Sequence, residues 1–127
     1  MPAHPNTQSL VLLWVRLVEE LQVLLAQLPL PIDLPAPKKP GDIGKAVDVL
    51  ERTLDLLESE PLASMVDPYL NRNLRRITVW LLDSEVKLGR VLSLEEKGRT
   101  VRRFEREALR LALRRAHQYI ADTHKRF

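Results

Sequence analysis

The chain has 127 residues, enough for one domain with a core of its own. Apolar residues make up 45% and charged residues 29%, and 25 leucines against four glycines favour helix over sheet. The absence of cysteine excludes disulfides, zinc–thiolate sites, iron–sulfur clusters and thiol nucleophiles, and aromatics at 5% argue against a platform of many exposed rings that stacks single-stranded bases.

The net charge of +3 is unevenly distributed. Residues 1–63 hold five Lys+Arg against nine Asp+Glu, a balance of −4, and residues 64–127 hold fifteen against eight, a balance of +7. Such asymmetry marks either an end that faces a polyanion or two halves that attract each other. Met1 to Ser9 carry no basic run of the secretory kind. The apolar run from Leu10 to Leu28 carries Arg16, Glu19 and Glu20 near its middle, which a membrane span does not normally do. The expectation is a cytoplasmic protein with no membrane partner.

In chain order, the spacing predicts a first helix over 7–28, capped by Thr7 or Ser9 and stopped by Pro29. Leu10, Leu13, Trp14, Leu17, Val18, Leu21, Leu24, Leu25 and Leu28 form its main face, with Leu12, Val15 and Val23 outside it. A helix apolar on more than one side is expected at the centre of the bundle or in a subunit interface. Residues 29–40 hold five of the nine prolines and read as a stiff crossover, long enough at roughly 3.1 Å per residue to traverse a bundle. A ligand for a proline-recognising module is the alternative.

A second helix is expected over 43–59, with Asp42 as N-cap and a row of Asp48, Glu51, Asp55 and Glu58 beside its apolar stripe. Pro61 ends it, and 61–66 read as one short turn. Asp67–Pro68 starts a third helix over 68–88, with Gly89 as its stop. Arg72, Arg75 and Arg76 crowd its first turns. Ser93 and Glu96 read as a capping box that opens a long final helix over 93–124. The fold class is therefore all-α: a single domain, 1–127, built as a bundle of about four helices with a long final helix.

The final helix carries the most specific pattern. Val101, Phe104, Ala108, Ala112, Leu113, Ala116, Tyr119 and Ile120 read as its apolar face. Arg99, Arg103, Arg106, Arg110 and Arg114 read as a row on the opposite side, about 22 Å long at 1.5 Å per residue. Arginine's planar fork suits phosphate, and Arg outnumbers Lys by fourteen to six. A phosphate backbone, of DNA or RNA, is the long polyanion that would relieve the repulsion along such a row. Two plainer readings stand beside it. The arginines could pair with an acidic protein surface, including the second helix's own row in the same or another subunit, or they could simply be solvated. The alanine-rich apolar side argues against a membrane-surface helix.

Little points to catalysis. His117 and His124 lie about 10 Å apart along a helix, too far to share a metal without further ligands, and His4 is distant in sequence. Glu19–Glu20 and Glu95–Glu96 are sequence neighbours that point apart on a helix. Gly41 to Lys45 lacks the spacer and the Ser/Thr of a phosphate loop. No enzyme, metal, cofactor or small-molecule substrate is expected.

Through the row Arg99 to Arg114 and the cluster Arg72, Arg75 and Arg76, the chain resembles the small helical subunits of CRISPR interference complexes. The likeness is of size, class and charge, and it covers about half the chain. It implies a non-catalytic subunit of a nucleoprotein assembly, contacting a strand through its backbone without reading bases, with other subunits or copies of itself as partners. The alternative is a helical adaptor or oligomerisation protein whose arginines meet an acidic protein surface.

Overall fold

The computed structural model describes residues 5–35, 37–38 and 42–126, with side chains from Thr7 onward. His4, Ala36, Lys39, Pro40 and Gly41 lie outside the described residues. The fold is an all-α bundle: α1 Pro5–Ala26, α2 Asp42–Glu58, α3 Leu62–Met65, α4 Pro68–Glu96 and α5 Arg103–His124. The four-residue α3 falls within the short turn expected over 61–66. Among the described residues there is no strand, and no helix is long and apolar enough to cross a membrane.

The predicted face of α1 is the core. Trp14, Leu17, Val18, Leu21, Leu24 and Leu25 are all buried, Trp14 completely (0% exposed). The Trp14 indole N–H donates to the Leu81 carbonyl of α4 at 2.9 Å, so the largest core side chain leaves no polar atom unsatisfied. The centre of the bundle, however, is α4 and not α1: α4 packs against α1, α2 and α5, while α1 packs against α4 and α5. Leu12 (69% exposed) and Val23 remain on the surface. After α1 the chain stays pinned to the core, with Ile32, Leu34 and Pro37 buried and the Ile32 N–H donating to the Leu25 carbonyl at 3.3 Å.

Asp42, expected as the cap of α2, is its first residue. Asp67 caps α4 as its sequence predicts, its carboxylate accepting from the N–H groups of Tyr69 and Leu70 at 3.1 and 3.0 Å. The Asn71 amide donates to the Leu57 carbonyl at 2.8 Å and ties α4 to the last turn of α2, where carbonyls lack helical partners.

The boundary between the last two helices differs from the expectation. Gly89 does not stop α4, and Ser93 to Glu96 form its last turn rather than the first turn of α5. Gly98 is the stop: its φ of +67° places it in the left-handed region. Its N–H donates to the Glu95 carbonyl at 3.0 Å, and the Arg99 N–H donates to the Leu94 carbonyl at 2.8 Å. That pair of bonds is a Schellman motif. Burial decides against Gly89, because the core stripe continues past it through Leu88 and Val91. The final helix thus begins at Arg103 and still runs 22 residues.

Candidate nucleic-acid interface

α4 and α5 form an antiparallel hairpin, with Arg90 hydrogen-bonded to Glu105 at one end and Arg126 over Tyr69 at the other. This geometry changes the expected arginine row in two ways. Arg99 is not on the helix; it lies in the connection that the Schellman turn closes. The remaining arginines do not lie opposite the core. Leu109, Ala112, Leu113, Ala116 and Ile120 are the buried positions of α5, whereas Phe104, expected on the apolar face, is 64% exposed. Arg110 and Arg114 border that core face on the α1 side, sharing a groove with Leu10, Leu13 and His117.

Within the row the residues differ in role. Arg106 donates to Glu95 at 2.8 Å, and the same carboxylate oxygen accepts from the Thr7 hydroxyl at 2.6 Å. The Arg106 side chain is 23% exposed, with Nε buried and lacking a hydrogen-bond partner among the described residues. It fastens α5 to the end of α4 and the start of α1. Arg110 pairs locally with Glu107 at 2.9 Å. Arg103 and Arg114 are exposed and make no ion pair among the described residues.

The cluster expected at Arg72, Arg75 and Arg76 also divides. Arg75 donates to Asn71 at 2.8 Å and lies 3.8 Å from Glu58 of α2, so it belongs to the α2–α4 contact. Arg72 and Arg76 turn to the two tyrosines of the chain. Arg72 lies 6.0 Å from the Tyr69 ring centre and Arg126 only 3.7 Å from it, while Arg76 lies 5.5 Å from that of Tyr119. Each is a cation–π contact. Arg72, Arg76 and Arg126 are exposed and form no ion pair among the described residues. Tyr69, Tyr119 and Arg126 were not candidates from sequence. Tyr69, Arg72 and Arg76 are spaced along one helix face, but only the hairpin register brings Tyr119 and Arg126 to them.

Asp83, Glu95, Glu105 and Glu107 of the hairpin each hold a cation, whereas Glu85, Glu96 and Asp122 make no ion pair among the described residues. The Arg90 guanidinium, at 2.9 Å, holds the Glu105 carboxyl below the usual carboxylate range, outweighing burial, and the Arg102 N–H adds to it from 3.3 Å. Asp83 is held by Lys87 at 2.7 Å. Burial pushes Glu85 upward. On α2, by contrast, Asp48, Glu51 and Asp55 are exposed and make no ion pair among the described residues, while Glu58 lies 3.8 Å from Arg75 of α4. No group of His, Asp and Glu among the described residues is arranged to hold a metal ion.

What the fold and these surfaces define is a helical bundle with a basic α4–α5 hairpin and, on α2 packed against α4, an exposed acidic row. Compared with protein-family models, with curated proteins and with solved structures, the chain finds no match in any of the three.

Proposed function

We propose that this chain is a non-catalytic nucleic-acid-binding subunit that holds a phosphate backbone along the α4–α5 hairpin. It would act as one component of a larger nucleoprotein assembly, of the kind that the small helical subunits of CRISPR interference complexes exemplify. One observation carries the reading: more of the hairpin's arginines than of its carboxylates lack an ion-pair partner among the described residues. Glu95, Glu105, Glu107 and Asp83 are each bonded to a cation. Arg99, Arg103, Arg114 and Arg115 remain exposed around α5 without an ion-pair partner among the described residues, as do Arg72, Arg76 and Arg126 at its far end. Uncompensated guanidinium groups repel one another, and a phosphate chain neutralises several at once through bidentate bonds. Such contacts track a backbone and do not read sequence.

The unpaired acidic face of α2 favours a second reading, an adaptor that assembles by setting α2 of one copy against α5 of the next. One experiment separates the two. Wild type and the Arg103→Glu, Arg114→Glu double variant are titrated with short DNA and RNA over a salt series, alongside sedimentation of the protein alone. On the proposed function, wild-type affinity falls steeply with salt, and the variant stays folded but loses binding. No binding by the wild type even at low salt, with assembly lost in the variant, would establish the adaptor instead.

A further inference from the structure

We infer that the tyrosine–arginine cluster at the open end of the hairpin is a site for an unpaired nucleotide, which makes the chain a binder of single strands. The inference rests on the proposed function and names its ligand class. Both tyrosines of the chain lie along this end of the hairpin, each beneath an arginine, although they stand 50 positions apart in sequence. Tyr69 stands on the first turn of α4 and is 38% exposed. Its ring is approached by Arg126 and Arg72, and Arg76 lies one turn along α4, over Tyr119.

Three features make this more than a solvated patch. None of the three arginines has a carboxylate in ion-pair range among the described residues, and each is held instead against a ring. Exposed cation–π contacts are weak, so the arginines can be drawn off the rings by a stronger partner. A nucleotide presents both complementary groups together: a base face that stacks on Tyr69 and flanking phosphates that accept from the freed guanidinium groups. A duplex offers the phosphates but keeps its bases stacked inside, so only an unpaired base can use the ring. The site is a single stacking point beside a basic track, which is consistent with the scarcity of aromatics elsewhere.

The test is fluorescence anisotropy with a labelled oligothymidylate and a labelled duplex of equal length, using the full chain. The variants are Tyr69→Ala, Tyr69→Phe and the Arg103→Glu, Arg114→Glu pair. Tyr69→Ala should weaken single-strand binding about tenfold, the scale of one lost base–ring stack, and leave duplex binding within a factor of about two. Tyr69→Phe should bind single strands as wild type does, which also controls for any loss of folding. Equal weakening on both ligands, or no weakening on either, overturns the site. If affinity is salt-dependent and lost in the double arginine variant yet indifferent to Tyr69→Ala, the site fails and the proposed function stands. If the wild type binds neither ligand, both fail together.

Discussion

Arg103 and Arg106 sit within one turn of α5, and a helical wheel puts them in the same row. Their environments separate them. Arg106 shares the Glu95 carboxylate with Thr7 and joins three helices, whereas Arg103 is exposed and unpaired among the described residues. Arg106→Gln should therefore destabilise the fold by about 1–2 kcal/mol, because it strips a part-buried carboxylate of its charged donor. Arg103→Gln should leave the melting temperature unchanged and weaken binding to nucleic acid. Thermal unfolding of the two variants side by side checks this, and equal effects on stability would mean that Arg106 is as free as its neighbour. The difference was not legible in sequence, since Glu95 and Thr7 lie far from Arg106 along the chain. The tyrosine cluster was hidden for the same reason.

At the scale of the element, the four long helices were legible because leucine periodicity, the proline stops and the Asp67–Pro68 start all act locally. The α4–α5 boundary was misjudged because two local signals compete there. Ser93 to Glu96 matches a capping box, and Gly89 matches a stop, yet neither is used. A helix does not end where the next turn still buries apolar surface, and Leu88 and Val91 do so on either side of Gly89. The two glycines should thus respond in opposite ways to the same change. Gly98→Ala places a Cβ at a φ of +67° and should cost about 1 kcal/mol. Gly89→Ala adds a Cβ in open space within a helix and should stabilise by about 0.5–1 kcal/mol. Urea unfolding of both variants measures the signs. Destabilisation by Gly89→Ala would move the boundary back to where the sequence pattern places it.

At the scale of the molecule, α1 touches α4 and α5 through one continuous face, and the core is a single cluster that also takes in α2 and the connector. Unfolding should accordingly be one cooperative transition. Trp14→Ala should cost about 3–5 kcal/mol, a large share of the 5–15 kcal/mol typical of a domain. Trp14→Phe, which keeps most of the volume and loses the bond to the Leu81 carbonyl, should cost about 1–2 kcal/mol. Coincident circular dichroism and tryptophan fluorescence transitions test cooperativity for the wild type, and calorimetry ranks the variants. Separate melting of α2 would contradict it. α2 packs on α4, yet only Glu58 of its acidic row reaches an arginine of the hairpin, Arg75, so most of the charge asymmetry of the two halves is not paired off among the described residues.

The sequence by itself determined that the chain is all-helical, that α4 starts at Asp67–Pro68, which face of α1 is core, and that positive charge gathers in the second half. These follow from interactions within a few residues and from burial periodicity, which a linear pattern records. Only the tertiary structure decided which arginines are spent and which are free, that α4 is the centre of the bundle, and that both tyrosines share one basic corner. Those outcomes depend on the register of α4 against α5 and on the docking of α1 and α2, contacts between residues far apart in the chain that no local spacing encodes.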